Sequence, residues 1–318
     1  MKPQTIVILG TGGTIAGRAA RPSEALAYVA AQVGIDQLVA DIPSITDNGP
    51  VETEQVSQID SKDMGFAIWA ELANRVNHHL ARAEVQGIVI THGTDTLEET
   101  AYFVHAVCNP DKPVVLTCAM RPATALFPDG PQNVLDAVAV ARHSGARGVV
   151  AVCAGVVHSA LDVQKTHTYQ LDAFSSGDAG PTAYVEAGSL RLLRNWPSAQ
   201  EERAIAAMKT IAKLGAGPGW PRVEIVMSHA GASGALVDAL LVQGGVQGLV
   251  VAATGNGTIH HALEAALLKA RDAGVRVVRS TRCLQGRVLA TPGDIFPDSG
   301  GLGPVKARVA LMLSLMVL

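Results

Sequence analysis

The hydrophobic and polar positions of this chain follow two alternating patterns. Short β-branched apolar runs predict buried strands, and longer stretches with apolar residues three and four positions apart predict amphipathic helices. Before about Tyr184, the predicted strands are Thr5–Leu9, Gly87–Thr91, Pro113–Thr117 and Gly148–Val152, and the predicted helices are Asp60–Arg82, Leu97–Val107 and Pro131–Ser144. Strands that alternate with helices indicate an α/β fold with a mostly parallel sheet covered on both faces.

The pattern changes after Tyr184. Segment Arg191–Gly219 is rich in proline and glycine and holds one modest helical stretch, Gln200–Leu214, so we interpret it as a linker. Alternation then resumes, with predicted strands at Val223–Met227, Gly248–Ala253 and Val275–Arg279 and predicted helices at Ser233–Gly244, Thr258–Gly274 and Val305–Leu318. We therefore predict an N-terminal α/β domain over residues 1–190, a linker over 191–219 and a smaller C-terminal α/β domain over 220–318.

Composition and charge exclude several classes of protein. Charged residues make up 17% of the chain and hydrophobic residues 48%, which is typical of a compact globular protein. The net charge of −3 offers no basic field for phosphates, so we expect no nucleic-acid partner. The apolar stretch Val309–Leu318 is far shorter than the roughly 20 residues that cross a bilayer. Because Met1–Gln4 leads directly into a strand-like segment, we expect a cytoplasmic protein without a membrane partner.

Metal-binding patterns are missing from the sequence. No two cysteines have CxxC spacing, no HExxH segment occurs, and the adjacent histidine pairs cannot share a helix face, so we expect no metal site. Cys118 and Cys153 lie inside apolar runs, and we interpret them as small buried hydrophobes. A disulfide between cysteines stays open at this point.

Two threonine-containing segments follow predicted strands. Ile6–Gly17 reads IVILGTGGTIAG, and it lacks both the GxxxxGK[ST] and the GxGxxG pattern of nucleotide-binding loops. It is either a tight glycine turn or a catalytic loop that places the Thr14 hydroxyl at the carboxyl end of a strand. Gly87–Leu97 reads GIVITHGTDTL. There, Asp95 is either a helix N-cap with Glu98 in capping-box spacing or part of a site with Thr94.

Lys165 is the third candidate. A lysine beside a carboxylate and a hydroxyl can accept the hydroxyl proton when its pKa is lowered. The sequence around Lys165 is equally compatible with an ordinary surface lysine.

Several segments together resemble the bacterial-type L-asparaginases, the asparaginase/glutaminase family. These segments are Thr11–Gly17, Ile59–Met64, Gly87–Leu97, Ala119–Thr124, Asp129–Pro131 and Val278–Arg282. The similarity extends over nearly the whole chain. The resemblance implies a large domain with a flavodoxin-like sheet, a smaller C-terminal α/β domain, and a homotetramer built as a dimer of dimers.

The resemblance also implies residue roles and a reaction. Thr14 corresponds to the nucleophile, and Tyr28 to its activating tyrosine in a lid. The second threonine, its aspartate and its lysine correspond to Thr94, Asp95 and Lys165, and substrate binding is implied for Ser61, Lys62, Thr94, Asp95 and the Ala119 carbonyl. The implied reaction hydrolyses L-asparagine to L-aspartate and ammonia through an acyl-enzyme, without metal or organic cofactor, and a glutaminase side activity stays open.

The chain departs from the family pattern in three places. Position 62 is Lys where the family commonly has Gln or Glu beside the substrate ammonium. The family often supplies a Glu from the neighbouring subunit, but here no acid occurs in Arg282–Gly293, and the first is Asp294. Ser23–Val33 is Ala-rich and predicted to be partly helical, where the family is richer in Gly, Ser and Thr.

Three other functions compete with that of an amidohydrolase. A non-catalytic module that senses asparagine or aspartate is disfavoured because a pure binder needs no nucleophile and base. A relative that amidates charged tRNA would need a further RNA-binding domain and a basic surface. A nucleotide-binding α/β protein is disfavoured because the phosphate-loop pattern is missing.

Overall fold

The computed structural model describes residues 4–19, 28–197, 201–215, 217 and 219–317. The chain forms two compact units, Met1–Ala216 and Gly217–Leu318. The strands are β1 (Thr5–Gly12), β2 (Arg18–Ala19), β3 (Tyr28–Val29), β4 (Val51–Ile59), β5 (Val85–Thr91), β6 (Pro113–Thr117), β7 (Gly148–Cys153), β8 (Val156–Ser159), β9 (Gln164–Lys165), β10 (Phe174–Ser175), β11 (Ala183–Glu186), β12 (Ser189–Leu192), β13 (Arg222–Met227), β14 (Val246–Ala253) and β15 (Arg276–Thr281). The α-helices are α1 (Ile35–Ala40), α2 (Phe66–Leu80), α3 (Leu97–Cys108), α4 (Gly130–Arg142), α5 (Glu201–Leu214), α6 (Ala235–Gln243), α7 (His261–Asp272) and α8 (Pro304–Met316).

The first unit is built on a sheet with strand order β12-β11-β8-β7-β6-β5-β1-β4. Strands β4, β1, β5, β6 and β7 are parallel, and β8, β11 and β12 extend the sheet antiparallel. Counted along the chain, the five parallel strands have the order 2-1-3-4-5, which is the flavodoxin-like order. The predicted α/β fold with a mostly parallel sheet is therefore confirmed.

Helices cover both faces of this sheet. On one face, Ile6, Ile8 and Val89 pack in a core that includes residues of α1 and α4. Helices α2 and α3 contact the sheet as well, and α5 packs against both of them. Burial on both faces explains why the parallel strands are continuous apolar runs rather than alternating ones.

The predicted helix Asp60–Arg82 begins later than expected. Ser61–Asp63 forms a short 3-10 turn, Met64 is extended, and α2 begins only after Gly65. The apolar spacing that includes Met64 extends the predicted helix toward Asp60. The chain instead turns at Ser61–Asp63, where it leaves β4 at the edge of the sheet. Strands β4, β8, β11 and β12 were missed because they are short or mixed in polarity, as the half-exposed pattern of β4 shows.

The segment predicted to be a linker contains α5, which packs on α2 and α3 of the first unit. The boundaries at 190 and 219 stay a prediction.

The second unit has a three-stranded parallel sheet in the order β13-β14-β15. Leu249 and Val251 of β14 pack in a core with α6 and α7. Helix α8 lies on the other face, where a side chain at Gly248 would meet Leu311. This arrangement confirms the smaller α/β domain at the C-terminus. In the part of the chain that the structure describes, no helix combines the length and the apolar character needed to cross a membrane.

Candidate active site

The first site loop leaves the carboxyl end of β1 through two glycines with positive φ, Gly12 at 105° and Gly13 at 83°. A Cβ on Gly13 would lie 2.3 Å from the Cα of Gly93, so the turn requires glycine for its conformation and for a close backbone approach. Thr14 begins a 3-10 turn directly afterwards and is buried. The tight glycine turn and the loop that places the Thr14 hydroxyl at the end of β1, given above as alternatives, are therefore one segment.

Tyr28 reaches the Thr14 side chain. The hydroxyl of Tyr28 lies 2.7 Å from Thr14 Oγ1, within hydrogen-bond distance. Tyr28 is on β3, which pairs with β2, and its ring lies so close to Gly17 that an added Cβ would come within 2.8 Å of Tyr28 Cδ2. The helical expectation for Ser23–Val33 is wrong at Tyr28–Val29, which forms a strand, and residues 23–27 lie outside the described residues.

The second site loop follows β5 and contains a lysine-linked pair. Lys165 on β9 donates hydrogen bonds from Nζ to Thr94 Oγ1 at 2.8 Å and to Asp95 Oδ1 at 2.6 Å. The Thr94 side chain is buried, whereas half of the Asp95 side chain is exposed. The N-cap residue of α3 is Thr96, so Asp95 forms an ion pair with Lys165 instead of capping the helix.

Ser61 sits beneath this loop. Its Oγ accepts a hydrogen bond from the Asp95 backbone N–H at 3.2 Å, and its carbonyl accepts one from Thr96 Oγ1 at 2.8 Å. Gly93 permits this approach, because a Cβ there would lie 2.4 Å from Ser61 Oγ. The neighbouring Lys62 points elsewhere: its exposed ammonium forms an ion pair with Asp60 Oδ2 at 2.7 Å, and this hydrogen bond raises the pKa of Lys62.

Ala119 lies in the turn after β6, and Asp129 holds that turn. The two oxygens of the Asp129 carboxylate accept hydrogen bonds from the backbone N–H groups of Met120 and Arg121, each at 2.9 Å. A Cβ on Gly130 would lie 2.9 Å from Ile15 of the Thr14 loop and 3.5 Å from the Cβ of Ala119. Ala119 therefore lies beside the Thr14 loop.

The structure thus brings together Thr14 with Tyr28, and Thr94 with Asp95, Lys165 and Ser61. The two groups adjoin through the glycine contact between the loops that follow β1 and β5, which are neighbouring strands. In the flavodoxin-like order this is the point where the strand order reverses, and open α/β sheets bind ligands there. The Lys62 ammonium pairs with Asp60 at the border of the site and also interacts electrostatically with Asp95.

Sequence reasoning missed two residues that shape the site. The signal for Asp129 is a carboxylate directly before the Gly-Pro start of α4, where it can accept hydrogen bonds from the preceding turn. His92 lies between β5 and Gly93, is completely buried, and donates from Nδ1 to the Gly93 carbonyl at 2.7 Å. Burial lowers the pKa of His92 to about 4, so the imidazole is neutral near pH 7.

Two family models match the chain, one in each unit. The model of the asparaginase N-terminal domain matches residues 5–198, and that of the glutaminase/asparaginase C-terminal domain matches residues 222–317. The chain belongs to the asparaginase family. Within the residues that the structure describes, no group of three or more His, Cys, Asp or Glu side chains is placed to hold a metal ion.

Individual members of the asparaginase family are similar over almost their whole length. L-asparaginase 2 of Escherichia coli is 38% identical over 98% of this chain and 88% of its own. Glutaminase-asparaginase of Pseudomonas fluorescens is 37% identical over 99% of this chain and 87% of its own. The crystal structure of a probable cytoplasmic L-asparaginase from Campylobacter jejuni has a TM-score of 0.91 at 37% identity, covering 99% of this chain and 96% of that one.

One departure from the family lies in the second unit. The carboxylate of Asp294 forms an ion pair with Arg279 at 2.5 Å and accepts hydrogen bonds from the Thr291 N–H and hydroxyl groups. These hydrogen bonds, from Thr291 first and Arg279 second, lower the pKa of Asp294. Asp294 is therefore engaged within its own unit.

Proposed function

We propose that this protein is an L-asparaginase that hydrolyses the side-chain amide of L-asparagine to L-aspartate and ammonia, with a glutaminase side activity. The observation that carries the proposal is the pairing of two hydroxyls with two proton-handling groups: Thr14 with Tyr28 at 2.7 Å, and Thr94 with Lys165 at 2.8 Å. A pure binding site needs neither pair. Relatives named L-asparaginase and glutaminase-asparaginase support both substrates.

In the proposed acylation step, the Thr14 hydroxyl attacks the amide carbon. A neutral threonine is a weak nucleophile and needs a base within hydrogen-bond reach. Tyr28 occupies that position: its oxygen takes the Thr14 proton while its own phenol proton passes to the amide nitrogen, so that the leaving group departs as ammonia. The developing oxyanion is stabilised by backbone N–H groups of the site loops. Ammonia then leaves, and a threonine ester remains on Thr14.

Water hydrolyses the ester in the second step. In this step we assign proton transfer to Thr94 and Lys165. Asp95 orients the Lys165 side chain through the ion pair at 2.6 Å. Ser61 and Asp95 bind the α-carboxylate and α-ammonium of the substrate, and the Ala119 carbonyl accepts a hydrogen bond from the scissile amide. We assign the first attack to Thr14 rather than Thr94 because the Thr94 hydroxyl already accepts a hydrogen bond from Lys165.

Ammonia release from asparagine and glutamine tests this proposal in the wild type, T14A and T14S. We expect T14A to lower kcat on the order of 10³-fold or more, because the ester cannot form. T14S keeps a hydroxyl and should retain measurable turnover. Full activity in T14A would refute the role of Thr14, and no release by the wild type would leave a binding module as the better hypothesis.

Lys62 is proposed to tune affinity. Lys62 follows Ser61 in the sequence, and its ammonium lies close to the position expected for the substrate ammonium. The ion pair with Asp60 offsets part of the Lys62 charge. We expect K62Q to lower KM for asparagine about two- to fivefold, the size of an exposed charge effect. D60N is the matched control, since it releases the Lys62 ammonium and should raise KM. An unchanged KM and substrate preference in K62Q would contradict this role.

The proposed assembly is a homotetramer, arranged as a dimer of dimers, and the proposed location is the cytoplasm. Light scattering coupled to size exclusion tests the assembly. A mass of one chain or two would contradict it.

A further inference from the structure

Two cysteines lie close together at the carboxyl ends of β6 and β7, in the sheet that carries the candidate active site. Strands β6 and β7 pair in parallel, with Thr117 opposite Val152. Cys118 and Cys153 are the residues that directly follow this pair. Their Sγ atoms lie 3.0 Å apart, and both side chains are buried. A disulfide bond is about 2 Å long, so the two sulfurs are within about 1 Å of bonding distance.

Asn133 of α4 fixes the backbone on both sides of the pair. Its Nδ2 donates to the Cys118 carbonyl at 2.9 Å, and its Oδ1 accepts from the Ala154 N–H at 3.0 Å. One step earlier, Thr117 Oγ1 donates to the Val152 carbonyl at 2.9 Å, which joins the two strands. Side-chain hydrogen bonds therefore hold the main chain beside both cysteines.

The pair persists as two thiols until an oxidant reaches it. The hydrogen bond to Cys153 and burial both raise the pKa of Cys118 well above its usual range. Since the thiolate is the reactive form, oxidation of such a thiol is slow and favours small reagents that enter the protein interior. Hydrogen peroxide is the smallest reagent of this kind.

We propose that Cys118 and Cys153 form a modification site, a dithiol that a small peroxide converts into an intramolecular disulfide that lowers turnover at the neighbouring site. One thiol reacts with hydrogen peroxide to give a sulfenic acid and water. The second thiol attacks the sulfenic sulfur, the S–S bond forms, and a second water leaves. Two thiols are thus oxidised by two electrons, and one peroxide is reduced to two waters.

The link to turnover is the residue that follows Cys118. Ala119 carries the carbonyl proposed to accept a hydrogen bond from the scissile amide, so this half of the inference rests on the proposed function. Closing the gap between the sulfurs shifts both side chains, and we expect part of that shift to reach the main chain at Cys118, one residue before this carbonyl. Because a displacement of about 1 Å in a positioning group costs up to about 10²-fold in rate, we expect kcat to fall roughly tenfold.

The experiment uses the full chain carrying C283S, which removes the exposed thiol and leaves three of the four cysteines. The protein is treated with hydrogen peroxide, denatured and alkylated with a maleimide, and the modified thiols are counted by mass spectrometry. We expect three alkylated thiols before treatment and one, at Cys108, afterwards. Peptide mapping should join Cys118 to Cys153, and dithiothreitol should restore both thiols and kcat.

C118S and C153S in the same background are the matched variants. Neither can form the bond, so each should keep its kcat under peroxide conditions that inactivate the parent. Loss of Cys108 instead of the pair, or unreacted thiols at all three positions, would overturn the site. A disulfide with unchanged kcat would overturn its effect on turnover. The thiol count is independent of activity, so a protein that never releases ammonia contradicts the proposed function alone.

Discussion

The buried imidazole of His92 should make the stability of the folded chain depend on pH. Burial lowers the pKa of His92 to about 4, compared with 6.5 for an exposed histidine. The unfolded chain therefore binds a proton between these two values while the folded chain does not. The free energy of unfolding contributed by this group is fully present above pH 6.5 and falls as the pH falls toward 4.

The expected size of this effect follows from the two pKa values. Each pH unit in the window is worth about 1.36 kcal/mol, so the whole window amounts to about 3 kcal/mol. Between pH 7.5 and pH 5 the expected loss is about 2 kcal/mol. Ordinary carboxylates titrate near pH 4, so they contribute little above pH 5.

The measurement is urea denaturation at pH 7.5 and pH 5, followed by tryptophan fluorescence, in the wild type and in H92N. An asparagine amide can still donate to the Gly93 carbonyl but does not titrate. H92N should lose a constant amount of stability from the smaller side chain, and its stability should fall by about 2 kcal/mol less than that of the wild type between the two pH values.

His229 provides the matched control, because its Nδ1 lies 2.9 Å from the carbonyl of the next residue, in the same way as His92, but at the surface. H229N should follow the wild type at both pH values. Parallel stability curves for the wild type and H92N would refute the reasoning, since they would mean that His92 binds protons equally in the folded and unfolded chains.

Two further predictions concern the proposed chemistry. K165M removes the hydrogen bond to Thr94, and we expect kcat for ammonia release to fall about 10²- to 10⁴-fold. K165R keeps the positive charge but cannot accept a proton, so equal activity in K165R and wild type would contradict proton transfer at this position. G17A places a Cβ 2.8 Å from the Tyr28 ring and 2.9 Å from the Thr14 carbonyl, and we expect a large fall in kcat together with a lower melting temperature. In the control G34A, the added Cβ has no neighbour nearer than 3.8 Å, and activity should be retained.

The central sheet could be predicted from the sequence because each buried parallel strand is an apolar run of its own. The turn at Thr14 could be predicted because its glycines are local. The partner of Asp95 could not, since Lys165 is 70 residues away and pairs through the fold. Nor could the ion pair of the Lys62 ammonium with Asp60, although Asp60 is only two residues away. Side-chain pairing depends on geometry that periodicity does not contain.

The contact between Gly13 and Gly93 determines what can vary in this site. Because the two loops touch through main-chain atoms, no side chain at position 13 or 93 sets the distance between the loops. A change of substrate size therefore has to come from surrounding segments, such as the turns at Ala119 and Lys62. For an engineer, the two loops form one unit, and substitutions in one of them alone would disturb the main-chain contact that joins the two halves of the proposed site.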